Sequence, residues 1–215
     1  METHVYSRTV KTRFGGVLRS GSHDPDGRAC ALEAASVARG IDWTDDSRKL
    51  RLPNLLELND ARWPSDQART VAMVPLVESL WNWGRWSDAR KRGWLRRNFI
   101  RIVREVLPIC IKSTRPKKFV QRCRTVGSLV DAYDTLHDVQ GPLGRFSALR
   151  QALGRLDYTG FFLRRDDSNA TPDDICVQLS HAVGLLANGQ RRLSDRGRVL
   201  RTFCQIATEE ARRKP

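Results

Sequence analysis

Arginine side chains recur at helical spacing within residues 88–107, and they are the clearest chemical feature of the sequence. At about 100° per residue, four arginines share one narrow sector of a helix, with an indole beside it. These residues are Arg90, Arg97, Arg101 and Arg104, with Trp94. A guanidinium presents planar donors that match phosphate oxygens, and an indole can stack on a base or an arginine. This sector therefore predicts phosphate binding.

The positive charge is expected to continue through a loop into the next helix. It is carried there by Lys112, Arg115, Lys117, Lys118, Arg122 and Arg124. Residues 84–124 hold 14 basic and 2 acidic side chains, whereas residues 1–83 have no net charge and residues 125–215 carry +2. The local acids, Asp88 and Glu105, cannot neutralise this basic segment, although acids elsewhere in the chain could. Charge concentrated in this way favours an anionic surface as partner.

The net charge of +14 on 215 residues supports the same partner class. No zinc finger, RNA-recognition signature or leucine zipper accompanies the basic segment, while a helix-turn-helix stays open because its sequence pattern is weak. Binding is therefore expected to go to the phosphate backbone of DNA or RNA with low sequence specificity. A membrane surface is disfavoured, because the apolar face of the basic helix is expected to face the core.

Three acidic residues on one predicted helix form the best candidate metal site. Asp131, Asp134 and Asp138 lie within reach of one another along that helix, with His137 adjacent. A nuclease that uses metal ions needs such carboxylates, supported by further ligands. Surface acids that balance the preceding basic segment explain the cluster more simply, and the paired carboxylates Asp45-Asp46 and Asp166-Asp167 are also interpreted as solvated loop acids.

Nucleophilic and cofactor chemistry find little support in the sequence. Ser22-His23-Asp24 has the residue types of a catalytic triad, but its glycine and proline neighbours favour a turn. Cys30 and Glu33 fall on about one helix face with His23 upstream, without the spacing of a zinc deaminase. The five cysteines show no C-x-x-C pair and are interpreted as reduced, mostly buried thiols. Glycine patterns for phosphate loops are absent, so no cofactor is expected.

The elements that position these residues are predicted to be helices. We expect a compact all-α fold of about seven to nine helices with an irregular N-terminal arm, in which residues 1–27 are rich in turn residues. Ser65, Ser87 and Thr171 are candidate N-caps. In the long helix 88–107, an apolar stripe of Leu95, Phe99, Ile102 and Val106 is expected to face the core.

Two segments are expected to interrupt the helical pattern. Pro75 lacks an N–H and crowds the preceding turn, which predicts separate helices near 66–73 and 75–82. The apolar stretch Tyr158–Leu163 is interpreted as a short strand or packed loop after a helix over 144–154. Further helices are expected near 30–38, 54–59, 116–133, 172–187 and 195–211.

Charge divides the chain into two helical regions: residues 1–83, which are balanced in charge, and residues 84–215, which begin with the basic segment. The alternative that both regions form one continuous domain stays open. No apolar run approaches the roughly 20 residues that span a bilayer. The N-terminus lacks the pattern of a signal peptide, so a cytoplasmic location is expected.

Several short segments resemble a family of helical proteins encoded in bacterial and phage genomes. They include Gly21-Ser22-His23, the run Asp26–Glu33 followed by two alanines, Leu58-Asn59-Asp60, and Arg92-Gly93-Trp94. The resemblance spans about residues 21–110. It implies a helical fold and a phage or defence setting, and it implies no particular activity. Where that family shows His-Pro and Cys after a Trp-Thr-Asp turn, this chain has Asp46-Ser47-Arg48.

The sequence favours a non-enzymatic protein that binds nucleic acid or a nucleoprotein complex through residues 90–124. An alternative is a phage- or defence-related protein that docks on an acidic groove of a protein or nucleoprotein effector. A second alternative is a metal-dependent nuclease that uses Asp131, Asp134 and Asp138.

Overall fold

A computed structural model of the chain describes residues 4–20, 27–112, 116–140, 147–165 and 169–213. Within these ranges every regular element is helical and no strand occurs. This result confirms the predicted all-α fold. The described ranges contain more helices than the seven to nine expected, because several short helices connect the long ones.

The N-terminal half builds four α-helices and a short 3₁₀ turn. They are α1 (Val5–Arg13), α2 (Ala31–Arg39), α3 (Leu56–Asn59), α4 (Asp66–Ser79) and the 3₁₀ turn Trp83–Arg85. The hydroxyl of Ser65 accepts the Ala68 N–H at 3.1 Å, which confirms the predicted N-cap of α4. Gly40 ends α2 in the left-handed conformation, with φ of 65°.

A long helical rod carries the basic face and runs through three consecutive segments. They are α5 (Asp88–Arg101), a π-helical turn (Ile102–Val106) and α6 (Leu107–Ile111). The Leu107 N–H donates to the Ile102 carbonyl, and the next residue, Pro108, has no N–H to continue a regular helix. All four residues of the predicted apolar stripe have no exposed surface, which confirms that this face is buried.

Five further helices follow in the part of the chain that the structure describes. They are α7 (Lys117–Arg124), α8 (Leu129–Gln140), α9 (Ala148–Arg164), α10 (Pro172–Asn188) and α11 (Leu193–Arg212). The Thr171 hydroxyl and the Asp174 carboxylate each bond the other's backbone N–H, so that α10 starts on a capping box. The predicted helix over 116–133 is interrupted between Arg124 and Leu129, the region where Gly127 lies.

The prediction of an irregular N-terminal arm is wrong for residues 5–13, because these residues form α1. Tyr6, Val10 and Phe14 recur at intervals of four residues and all three are buried. The Tyr6 hydroxyl donates to the Ala31 carbonyl at 2.9 Å and so satisfies its buried polar end. Burial against α2 and α4 therefore makes this segment helical despite the glycines that follow it.

Two predicted interruptions of helices are also wrong. Helix α4 continues through Pro75. Because proline has no N–H, the Val71 carbonyl lacks its usual helical partner. The Val71 side chain is 62% exposed, so this carbonyl lies on an exposed face of the helix. Residues 158–163 belong to α9. Leu153, Leu156, Gly160 and Leu163 bury one face of that helix at spacings of three and four, so the segment packs as a helix.

Both regions of the chain contribute to one hydrophobic core. Helix α11 packs along α4 and α5, and α10 packs against α9 and α3. The buried core residues run from Tyr6 in α1 to Ala211 in α11. Among the described residues, no helix is both long and apolar enough to cross a membrane.

Close packing at Gly160 provides a test of this architecture. A Cβ at Gly160 would lie 2.7 Å from ring atoms of both Phe99 and Tyr133, whereas a Cβ at Gly154 on the same helix would meet nothing within 4 Å. We expect Gly160→Ala to lower the free energy of unfolding by about 1–3 kcal/mol through overpacking. Gly154→Ala should be neutral or stabilise the helix by up to about 1 kcal/mol. Urea unfolding followed by circular dichroism measures both; equal effects would contradict the packing of α9 against α5 and α8.

Candidate nucleic-acid interface

Much of the arginine face of α5 lies against α11 rather than in open solvent. The Arg97 Nε donates to Glu210 Oε2 at 2.8 Å. Arg101 Nη1 donates to Glu209 Oε2 at 2.7 Å and to Glu210 Oε1 at 3.3 Å. The Glu210 side chain is 1% exposed, and Arg213 also reaches it at 3.2 Å. Acids near the C-terminus therefore neutralise arginines of the basic segment.

Arg101 is the centre of this ion-pair cluster, which comprises Arg97, Arg101, Glu105, Glu209 and Glu210. Its Nε and Nη2 donate to the two carboxylate oxygens of Glu105 at 2.7 and 3.0 Å. Its side chain is only 16% exposed. Arg97 and Arg101, which were predicted to bind phosphate, are therefore neutralised by acids from elsewhere in the chain. Helical periodicity placed them correctly on one face, but it could not show which helix that face meets.

Charge in the cluster changes the proton affinity of its members. Hydrogen bonds to Glu105 raise the pKa of Arg101 above its usual range. Burial alone would raise the pKa of Glu105, but hydrogen bonds from Arg101 and Arg104 lower it below the ordinary value. Hydrogen bonds from Arg101 and Gln205 likewise lower the pKa of Glu209. Arg101, Glu105 and Glu209 are therefore ionised at neutral pH, and the contacts of Arg101 with Glu209 and Glu210 hold α11 against α5.

Trp94 does not serve as a surface stacking platform. It is 1% exposed, its Nε1 donates to the Ala207 carbonyl at 3.1 Å, and its ring packs edge-on against Trp83. The prediction that Trp94 flanks an exposed arginine sector is wrong, because the indole is buried and packs between α5 and α11. Arg90 stacks instead on Trp86, with its guanidinium carbon 4.2 Å from the ring centroid.

A basic groove opens farther along the rod, where the π-helical turn and α6 meet α7 and α11. Its volume is about 470 Å³. We call it the distal groove. Its lining includes four cations, Arg104, Lys112, Arg124 and Arg198, together with Glu105, Pro108, Ile109 and Thr202. Glu105 is the one carboxylate among the described lining residues, and Arg101 and Arg104 already occupy both of its oxygens. The distal groove thus keeps a net positive charge.

The four cations of the distal groove differ in how freely they can bind a ligand. Arg124 and Arg198 are exposed, and no carboxylate of the described residues forms a salt bridge with either. Lys112 has a long, exposed contact of 3.5 Å with Asp195, and such surface pairs contribute roughly 0–1 kcal/mol. Arg104 donates to Glu105 at 3.1 Å and is fixed in place. Arg124 and Arg198 are therefore the most available donors.

Helix α7 carries further exposed cations beyond the distal groove. Lys117 and Lys118 are exposed, with the Lys118 Nζ 5.2 Å from the Phe119 ring centroid. Arg122 is exposed and lies 3.9 Å from Asp138, a distance at the limit of an ion pair. The predicted Arg115 lies outside the described residues. The described cations predicted after residue 111 are thus exposed, and they lie just after α6 and on α7.

Sequence reasoning missed Arg198, which belongs to a helix far along the chain. Residues 191–201 contain five arginines, so the N-terminal half of α11 is basic while its C-terminal end supplies Glu209 and Glu210. Counting charge over the whole block 125–215 averaged these two ends to a small net charge. A helix-by-helix count would have shown that α11 could both neutralise one basic surface and extend another.

The acidic candidates do not assemble into a metal site in the parts of the chain that the structure describes. His137 Nε2 lies 3.2 Å from Asp157, and Asp138 faces Arg122. No group of three or more His, Cys, Asp or Glu side chains is placed to hold an ion within those parts. Asp45 and Asp46 are exposed in a turn, while Ser22-His23-Asp24 and Asp166-Asp167 lie outside the described residues.

Cys30 and Glu33 meet as structural partners. Glu33 Oε2 accepts the Cys30 N–H at 2.9 Å in a capping box at the start of α2. Burial raises the pKa of the Cys30 thiol to about 12, so it is not a thiolate at neutral pH. The candidate third member, His23, lies outside the described residues. All five cysteines are buried free thiols, which confirms the interpretation made from their spacing.

Removing the central guanidinium should destabilise the fold in a manner that depends on pH. Arg101→Met removes the guanidinium that Glu105, Glu209 and Glu210 share, and we expect a loss of about 2–4 kcal/mol in unfolding free energy at neutral pH. The pKa values of Glu105 and Glu209 are lower folded than unfolded, so this stabilisation exists above about pH 4.3 and is lost as pH falls further.

Urea unfolding at neutral and acidic pH measures the effect. The difference between wild type and Arg101→Met should narrow below about pH 4.3. Arg124→Met is the matched control, because it removes an exposed arginine without a carboxylate partner among the described residues. A pH-independent difference, or an equal loss in the control, would contradict the role assigned to Arg101.

In comparisons with known proteins, no family model, curated protein or solved structure matches the chain. The resemblance of residues 21–110 to a bacterial and phage family stays a prediction. What can be inferred about function comes from the chemistry of the distal groove and its surroundings.

Proposed function

We propose that this protein binds the phosphate backbone of nucleic acid through the distal groove and the adjoining cations of α7. The observation that carries the proposal is the convergence of Arg124 and Arg198, from two helices far apart in sequence, on one groove. Glu105, the one carboxylate that the structure describes in its lining, is already occupied. Guanidinium groups bind phosphate oxygens in pairs, and two such groups facing one groove suit a phosphate between them.

The arrangement favours backbone contacts over base recognition. The distal groove offers cations and the Thr202 hydroxyl as polar donors, and none of its described lining residues is aromatic, so a base has no ring to stack on there. Lys117, Lys118 and Arg122 add exposed charge along the neighbouring helix α7. Contacts of this kind position a nucleic acid without reading its sequence, and they release counterions when they form. Low sequence specificity and strong salt dependence are the expected consequences.

The ion-pair cluster limits which arginines take part. Arg97 and Arg101 are engaged by Glu209 and Glu210, so charge reversal at these positions would place a carboxylate beside the buried Glu210. Such variants would lose binding through unfolding and would not identify an interface. A clean test must change exposed arginines that hold no ion pair.

Replacing Arg124 and Arg198 together by glutamine should weaken binding to a labelled DNA duplex and to RNA of the same sequence. Each lost phosphate contact lowers the slope of log K against log salt by about 0.9 for duplex DNA. We therefore expect a slope smaller by about 2 and a uniform loss of affinity across sequences. Fluorescence anisotropy at several salt concentrations measures both quantities.

The matched control is the double variant Arg8→Gln and Arg13→Gln. It makes the same change in net charge at exposed positions of α1, and it should leave the salt slope unchanged. Unaltered affinity in the Arg124 and Arg198 variant would contradict the proposal. A partner that is captured by the wild type and stays bound after nuclease treatment would instead indicate docking on an acidic protein groove.

A further inference from the structure

A second basic cleft lies in the N-terminal half, mostly within residues 1–83, which have no net charge in sequence. It is formed by the start of α1, the end of α2, the loop after it, the residues that follow α4 and the 3₁₀ turn, and its volume is about 520 Å³. Four cations line this proximal cleft: Arg39, Lys49, Arg51 and Arg85. Among the described residues, no carboxylate lines this cleft. The cleft is therefore locally cationic, although three of its four cations come from the region 1–83, which has no net charge.

Three cations of the proximal cleft are available to a ligand, whereas the fourth, Arg39, is held in place by the fold. Arg39 is fixed by a hydrogen bond of 2.6 Å from Nη2 to the Trp81 carbonyl and by stacking at 4.1 Å over the Trp81 ring. Lys49, Arg51 and Arg85 are exposed, and none forms a salt bridge with a described carboxylate. Like charges held together in a cleft repel one another, so an anion bound among them is stabilised.

The backbone is strained at Arg51, which lines the cleft. Arg51 has φ of 51°, and it is the one non-glycine residue with positive φ among those described. The Gly84 N–H donates to the Arg51 carbonyl at 3.1 Å, and a Cβ on Gly84 would lie 2.6 Å from the Arg51 Cβ. Strain of this kind is found at ligand sites, where surrounding structure maintains it.

One wall of the proximal cleft is apolar. Ile41 and Val5 line it and are each 40% exposed, beside the half-buried Trp81. The side-chain amide of Asn82 also lines the cleft and can both donate and accept hydrogen bonds. The cleft therefore combines a strongly cationic side, an apolar side and a polar amide in a volume typical of sites for small molecules.

We propose that the proximal cleft binds a mononucleotide, with its phosphates among Lys49, Arg51 and Arg85 and its base against the apolar wall. Several cations suit the multiple negative charges of a nucleoside phosphate better than the single charge of a carboxylate. The apolar wall suits a planar base, and the Asn82 amide can pair with its edge. This site is separate from the distal groove, which has no aromatic lining residue.

Calorimetric titration of the full chain in phosphate-free buffer tests the proposal with AMP, ADP and ATP as probes. Affinity should rise from AMP to ATP as phosphate charge increases. Adenosine and tripolyphosphate, the two halves of the probe, should each bind at least about tenfold more weakly than ATP, because each lacks one of the two contacts. No binding of ATP, or equal binding of tripolyphosphate and ATP, would overturn the assignment.

Variants locate the site. Lys49→Gln and Arg51→Gln should each raise the Kd for ATP by about tenfold. Arg48→Gln is the matched control: it makes the same charge change on the same loop at a residue that does not line the cleft, and it should leave the Kd unchanged. An equal effect in Arg48→Gln would mean that only general charge attraction operates, which would overturn the proposal.

Two further variants separate the proposal from folding and from the distal groove. Gly84→Ala should displace Arg51 and weaken ATP binding without any change of charge, and thermal unfolding checks that the variant is folded. The Arg124 and Arg198 double variant should bind ATP as the wild type does. Loss of ATP binding in that double variant would place the nucleotide in the distal groove and contradict the proximal site, whatever the outcome for nucleic acid.

Discussion

The buried carboxylate of Glu210 constrains how the basic part of this protein is arranged. A charge that is 1% exposed is strongly unfavourable unless cations surround it, and Arg97, Arg101 and Arg213 do so. These contacts fix the C-terminal end of α11 along α5, while Trp94 fills the space between the two helices. That docking in turn brings Arg198 at the other end of α11 beside α6 and α7. The structural ion pairs thus shape the distal groove.

The arginines of the chain therefore divide into two groups with different roles. Arg97 and Arg101 hold helices together through carboxylates, and they contribute little field to the outside. Arg124, Arg198, Lys49, Arg51 and Arg85 have no described carboxylate partner and line two grooves on different parts of the surface. An excess of 14 positive charges leaves enough cations for both tasks. Net charge alone does not distinguish them, because the distinction depends on which helices are neighbours.

The sequence predicted the elements better than the surfaces. The caps at Ser65 and Thr171 and the buried stripe of α5 follow from local rules, and all are present. The helical N-terminus and the continuous α9 were not predicted, because burial of Tyr6 and Leu163 outweighs local turn residues and short apolar runs. The pairing of α5 with α11 is a long-range contact that no local pattern records, so the positions of the neutralised and available arginines could not be derived.

Arginine footprinting with phenylglyoxal tests the central claim most directly, because mass spectrometry reports the reactivity of each guanidinium. The account predicts that Arg124 and Arg198 react readily in the free protein and become protected when a DNA duplex is bound. Arg101 should react slowly in both states, since carboxylates surround it. Protection that leaves Arg124 and Arg198 unchanged, or that falls on α1 instead, would contradict binding of nucleic acid in the distal groove.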